Sequence, residues 1–192
     1  MTFSQVSNLN GDGADDFLLG SSYEALAFAG RLYFVANDAS GTPRLLRTDG
    51  LTIEQVSEQT AGGGTMWVYR EELLFAAGDA TGKSKLFRYR GGEISQVSNT
   101  AGDSAADFVW VSALIYGDRF YFVALNESAT AKLYAYDGDG VSQVASTTDR
   151  EDLSDAPILL TTADGQLLFG AHNPDGGWKL FSLCDAAAGC AL

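Results

Sequence analysis

The chain has 192 residues and carries 12 basic against 25 acidic side chains, which gives a formal net charge of −13. This acidic balance argues against binding to nucleic acid or to an anionic membrane surface, because both need a basic stripe. The sequence has no apolar run of about 18 residues that would predict a membrane span. The first 20 residues lack the basic start and apolar stretch of a signal peptide, so an exported protein would correspond to the mature form.

Three sequence blocks recur along the chain and predict an internal repeat. The triplet Gln-Val-Ser/Ala begins at four positions, separated by steps of 50, 41 and 47 residues: Gln5, Gln55, Gln96 and Gln143. Apolar blocks such as RLYFVAND begin at Arg31, Glu72, Arg119 and Gln166. Blocks such as KLFRYRGG begin at Arg44, Lys85, Lys132 and Lys179. Four units of about 45 residues therefore fill the chain.

Each unit has the pattern of a β-meander. Its blocks are short and rich in Phe, Tyr, Leu and Val, and they end at Gly, Asn, Asp or Ser. In the first unit we predict strands at 22–29, 31–37, 44–48 and 52–57. The stretch SYEALAFAG is the best helical candidate, but other units carry WVYR or FVWVSALIYG at this place, so we predict a strand.

Four-stranded repeats of this length predict an all-β protein, namely a four-bladed β-propeller. We expect one domain over 1–192, with blades at about 16–57, 64–98, 107–145 and 155–184 plus 3–7. The N-terminal segment FSQVS would then supply the fourth strand of the last blade and protect its edge. The alternative is a half-ring that pairs with a second chain to make eight blades.

The stretch LYFVANDASGTPRLLRTDG resembles the ELWxxDGT repeat of bacterial surface and secreted proteins. The resemblance covers all four units, although Leu, Phe or Tyr replaces the tryptophan of that repeat. In size the chain is also similar to four-bladed hemopexin-type propellers. The resemblance implies propeller blades and an extracellular or cell-envelope location, and it implies no activity.

The segment NLNGDGADDF offers oxygen ligands for a hard cation at Asn8, Asn10, Asp12 and Asp16. Their spacing suits Ca²⁺ and resembles the DxNGDGxxD loops of integrin-type FG-GAP propellers and of dockerins. A weaker version lies in unit three, with Asn99, Asp103 and Asp107. The alternative interpretation is a polar turn between blades.

Three tryptophans are candidate ligand-binding residues: Trp67, Trp110 and Trp178. Their aromatic faces suit sugar rings or flexible side chains, although packing between blades uses the same residues. Near the C-terminus, Cys184 and Cys190 are close enough to form a disulfide loop, which would fit an oxidising compartment. Two unpaired thiols are the alternative.

The sequence favours a non-catalytic function. The only histidine, His172, lies in a turn segment, and a GxSxG motif is absent. The expected function is a binding or assembly module that presents a rigid propeller face to a protein partner or to copies of itself. A carbohydrate-binding lectin is the first alternative, and an enzyme with a carboxylate-based site in the channel is the second.

Overall fold

A computed structural model describes residues 5, 7, 25–144, 147, 155 and 157–184, without the side chains of 62–64, 109–111 and 159–160. All of the regular secondary structure in these ranges consists of β-strands. The strands form four separate antiparallel sheets, three with four strands and one with three. The predicted all-β class is therefore confirmed.

The chain divides into two compact units, Met1–Gln96 and Val97–Leu192, and each unit holds two sheets. The first sheet contains β1 (Leu26–Phe28), β2 (Arg31–Asn37), β3 (Pro43–Thr48) and β4 (Ile53–Gln55). The second contains β5 (Ala61–Tyr69), β6 (Glu72–Gly78), β7 (Ser84–Arg90) and β8 (Glu93–Gln96).

The second unit repeats this arrangement with one strand fewer. The third sheet contains β9 (Phe108–Tyr116), β10 (Arg119–Leu125), β11 (Ala131–Tyr136) and β12 (Val141–Gln143). The last sheet contains β13 (Ile158–Ala163), β14 (Gln166–His172) and β15 (Trp178–Leu183). In every sheet each strand pairs with the next along the chain, so each repeat is a meander, as predicted.

The turn between the second and third strands of each sheet has one recurring design. Its first residue is an Asp or Asn whose side-chain oxygen accepts backbone N–H groups further along the turn. Asp79 Oδ1, for example, accepts from Thr81 N at 2.8 Å and from Lys83 N at 3.0 Å. The hydroxyl of Thr81 also donates to this oxygen, and these bonds lower the pKa of Asp79.

One position of this turn requires left-handed backbone in all four sheets. It is glycine three times, with φ of 77–78°, at Gly41, Gly82 and Gly176. In the third sheet Ala129 occupies the position with φ of 56°. A residue with a Cβ atom costs about 1–2 kcal/mol in this conformation, so the third turn is strained where the others are relaxed.

Replacing Ala129 with glycine is therefore expected to stabilise the protein. The relief of about 1–2 kcal/mol is partly offset by about 0.4–1 kcal/mol, because glycine gains more freedom in the unfolded chain. We expect a net gain of about 0.5–1 kcal/mol in thermal or urea unfolding. Gly82→Ala is the reverse control. It should lower the free energy of unfolding by a similar amount through backbone strain alone, since a Cβ there meets no atom within 4 Å. Lower stability of Ala129→Gly would contradict this interpretation.

Within each unit the two sheets pack face to face, and equivalent faces are in contact in both units. We call the face that carries Tyr33 and Leu45 the leading face, and the opposite face the trailing face. The leading face of the first sheet packs on the trailing face of the second, which carries Phe75 and Phe87. In the second unit, the leading face of the third sheet likewise packs on the trailing face of the last, which carries Phe169.

Candidate functional site

The leading face of the last sheet exposes a group of large apolar side chains. Its register pairs Ile158 with Gly170, Gly170 with Leu180, and His172 with Trp178, so these residues share one face. Leu180 is 64% exposed, Trp178 is 53% exposed and Ile158 is 41% exposed. We call this surface the open face.

The repeat provides an internal reference for this exposure. Leu180 has the same register position as Leu45, Leu86 and Leu133 in the other three sheets. Those three leucines are 0%, 0% and 3% exposed. The last sheet therefore has an apolar residue at a position that is buried in the other three sheets, while this residue is exposed to solvent. Such an apolar face is typical of a surface that another protein covers.

Trp178 is held on the open face by its neighbours in β14. Its ring makes an edge contact with the ring of His172, with the ring centroids 4.6 Å apart. The indole also lies over Gly170, where a Cβ atom would be in ordinary van der Waals contact with two of its carbons at 3.7 Å. The tryptophan is thus partly ordered before any ligand arrives, which lowers the entropic cost of binding.

A buried ion pair lies in the second unit and anchors the start of the last sheet. Lys132 Nζ lies 3.2 Å from Asp155 Oδ1, and the two residues are 0% and 3% exposed. The second carboxylate oxygen accepts from Thr147 N at 3.3 Å. The backbone of Asp155 adds two bonds, one to Ala131 O and one from His172 N. Asp155 therefore joins the third sheet to the last one.

Asp107 has the same position before the third sheet and a similar set of bonds. Its carboxylate accepts from the Ser98 hydroxyl at 2.7 Å and from Thr100 N at 2.8 Å, and its carbonyl accepts from Leu125 N. Asp107 belongs to the weaker of the two predicted calcium loops, the one in unit three. Both of its carboxylate oxygens already accept hydrogen bonds from the protein, which gives this residue a structural role.

The other predicted site residues are only partly described. Trp67 lies half-buried on β5, in the first unit, whereas Trp110 lies on β9 and its side chain is outside the description. Trp178 begins β15, so the three tryptophans do not share one repeat position. His172 ends β14 and is half-buried against Trp178.

The predicted calcium loop, Asn8, Asn10, Asp12 and Asp16, lies outside the described residues. Cys184 follows β15, and Cys190 is outside the description, so their pairing stays a prediction. In the described ranges, no group of three or more His, Cys, Asp or Glu side chains is placed to hold a metal ion. Nor does this part of the chain contain a helix that is long and apolar enough to cross a membrane.

An acidic run such as DREDLSD is typical of a solvated loop, but its last residue, Asp155, is 3% exposed. The sequence signal was available, because Asp155 and Asp107 follow their Gln-Val pairs at nearly the same distance. The other acids of the segment, Asp149, Glu151 and Asp152, lie outside the described residues.

Neither a protein-family model nor a curated protein matches the chain. Among solved structures, a mutant of puromycin hydrolase complexed with PGG matches with a TM-score of 0.52 and 14% identity, over 82% of this chain and 26% of that one. The acylaminoacyl peptidase of Pyrococcus horikoshii matches with a TM-score of 0.51 and 13% identity, over 86% and 27%. This chain thus spans about a quarter of both enzymes, and the similarity is one of fold alone.

A third solved structure is a mutant of the Aleuria aurantia lectin in complex with alpha-methyl-L-fucoside. It matches with 14% identity over 91% of this chain and 82% of that one, and its TM-score is 0.25. A score this low carries no argument about the present chain.

Proposed function

We propose that the chain is a non-catalytic binding and assembly module that contributes four β-propeller blades and associates with a second copy of itself. The open face carries this proposal. It exposes Ile158, Trp178 and Leu180, and the leucines at the register position of Leu180 are buried in the other three sheets. Covering it removes a large apolar surface from water, which is the main driving force of association.

A second copy fits this face because the same apolar side chains meet across a two-fold axis. Such an isologous contact needs only one self-complementary patch, and two-fold dimers are the commonest oligomers. The long-range charge of the chain opposes the contact, since each copy carries a net charge of −13. Added salt screens this repulsion over about 8 Å at physiological ionic strength. Association is therefore expected to strengthen with salt.

The predicted N-terminal strand belongs to the same proposal. Among the described residues, the last sheet has three strands where the other sheets have four, and β15 is its last strand. Gln5 donates its side-chain amide to Ser7 O, and Gln55 donates in the same way to Ser57 O at the end of β4. This shared local geometry supports the segment 3–7 as a fourth strand of the repeat.

The alternative arrangement is a four-bladed ring that closes within one chain and covers the open face internally. An extracellular or cell-envelope location and a lectin function remain further predictions. Trp178 supplies an exposed aromatic ring for a sugar, but the tryptophans occupy different strands and so do not form a repeated sugar site.

Light scattering across a range of concentrations tests the assembly. We expect a mass of about twice 20.3 kDa at high concentration. Leu180→Lys should shift the protein to the monomer, because a charge on the open face must be desolvated in the contact. Leu51→Lys is the matched control, since Leu51 is 88% exposed in the turn between β3 and β4 and should leave the mass unchanged. A wild-type monomer at every concentration and salt level would reject self-assembly and favour the closed ring.

A further inference from the structure

A cavity of about 540 Å³ opens between the two sheets of the first unit, at the end where their hairpin turns lie. Its walls are the leading face of the first sheet and the side of the second that faces it. Gly91 and Gly92 form the turn between β7 and β8 at its mouth, with φ of 60° and 95°. Because neither residue carries a side chain, this turn leaves the mouth open. The volume lies in the range of small-ligand sites.

Three arginines and two tyrosines line this cavity, which we call the arginine–tyrosine pocket: Arg31, Arg47, Arg70, Tyr33 and Tyr89. Its central group is the guanidinium of Arg47. Arg47 Nη1 donates to Tyr89 OH at 2.6 Å, and Arg47 Nη2 lies 2.7 Å from Glu54 Oε2. These two bonds fix the guanidinium plane in place before a ligand arrives.

Arg31 lies beside Arg47, and the contact that holds the Arg31 guanidinium is longer than those that hold the Arg47 guanidinium. Its Nη1 reaches the same Glu54 oxygen at 3.3 Å, which is the one side-chain bond of Arg31 within the described part of the chain. Glu54 therefore spreads one negative charge over two guanidiniums. The remaining N–H groups of Arg31 are available to a ligand, and a guanidinium presents them in the fork geometry that matches a carboxylate.

The rings of Phe28, Tyr33 and Tyr89 give the pocket an apolar wall. Tyr33 contacts Phe28 and Tyr89, with ring centroids 5.7 Å apart in both cases. Burial raises the pKa of Tyr33, and hydrogen bonding to Arg47 opposes the shift. The hydroxyl is thus a neutral donor at pH 7, and it adds a polar contact without adding a negative charge.

The second unit has two smaller cavities at the equivalent place, and their side chains differ. One of about 430 Å³ is lined by residues that include Tyr116 and Asp164, and one of about 180 Å³ by residues that include Arg119, Tyr121 and Leu183. Arg119 and Tyr121 correspond to Arg31 and Tyr33, but Leu183 stands where the first unit has Tyr89. The position of Arg47 is occupied by Ala135. The cationic set is therefore a feature of one pair of sheets and not a general part of the repeat.

The charges at the pocket select a singly charged ligand. The guanidiniums of Arg31 and Arg47 share the one carboxylate of Glu54, so about one positive charge of this pair is left for a ligand. A dianion such as phosphate or sulfate would leave a negative charge uncompensated, in a chain that is already strongly acidic. We propose that the arginine–tyrosine pocket binds a small monocarboxylate whose ring packs against Phe28 and Tyr33 and whose carboxylate pairs with Arg31 and Arg47.

Calorimetric titration with four probes tests this site: benzoate, its uncharged analogue benzamide, phosphate and sulfate. We expect benzoate to bind saturably. Benzamide should bind about tenfold or more weakly than benzoate, because it cannot form the charge-assisted bonds. Phosphate and sulfate should also bind more weakly than benzoate. Added sodium chloride should weaken benzoate binding, since the guanidiniums are partly exposed and screened.

Variants locate the binding. Arg31→Gln should weaken benzoate binding by about tenfold or more, with an unchanged melting temperature. Arg119→Gln is the matched control at the first residue of the corresponding strand in the third sheet, and it should bind benzoate like the parent. The proposal is overturned if benzoate binds no more tightly than benzamide, if phosphate or sulfate binds more tightly than benzoate, or if Arg119→Gln weakens binding as much as Arg31→Gln does.

Discussion

Replacing Asp155 with alanine is expected to lower the free energy of unfolding by about 3–5 kcal/mol, because it removes the carboxylate that pairs with a buried ammonium. Lys132 is fully buried, and its Nζ lies 3.2 Å from the carboxylate that would be removed. Thr147 N would also lose its acceptor. Urea unfolding of the parent and the variant measures the difference.

Two further variants identify the cause of this loss. Asp175→Ala removes an exposed carboxylate from the turn between β14 and β15, and it should change stability by less than about 0.5 kcal/mol. The double variant Asp155→Ala with Lys132→Met should lose less than the two single variants together, because the second change removes the unpaired charge. A small effect of Asp155→Ala, equal to that of Asp175→Ala, would show that the ion pair adds nothing to the fold.

Truncating the same repeat position in two sheets is expected to give opposite results. Leu45→Ala should cost about 2–5 kcal/mol, since Leu45 is fully buried in the first core and the change leaves a cavity. Leu180→Ala should cost less than about 0.5 kcal/mol, because Leu180 is largely exposed. Both variants are compared with the parent by chemical unfolding at a protein concentration low enough to suppress association.

This comparison also tests the state of the open face in solution. The two leucines have the same register, and each follows a basic residue and precedes an apolar one, so propensity effects largely cancel between them. A loss for Leu180→Ala as large as that for Leu45→Ala would mean that the last sheet is covered within the monomer. The open face would then not be available to a second copy.

Much of the strand order could be predicted because a four-stranded meander imposes a simple pattern on its sequence. A strand covered on both faces is a continuous apolar run, and the predicted strand 31–37 coincides with β2 (Arg31–Asn37). The prediction 44–48 differs from β3 by one residue. The strand predicted in SYEALAFAG is confirmed at Leu26–Phe28, and residues 22–24 lie outside the described residues. Ring closure stays a prediction.

The candidate sites were harder to predict, because they depend on burial rather than on motifs. Arg31, Arg47 and Tyr89 come from three strands of two sheets, and no local pattern connects them. Aligning the repeats gives the one available signal, since the position of Arg47 changes to alanine in the third sheet. For Leu180 the repeat predicts burial, whereas the side chain is 64% exposed.

The uneven covering of the sheets has a consequence for motion. β14 is buried on alternate residues only, whereas β6 and β10 are buried almost throughout. Segments with less buried apolar surface open locally at a lower free energy than the core of the same protein. We therefore expect the backbone amides of β14 to exchange before those of β6 and β10, and a protease to reach the last sheet more readily than these two strands. A partner that seats on it would slow both processes without changing the rest of the chain.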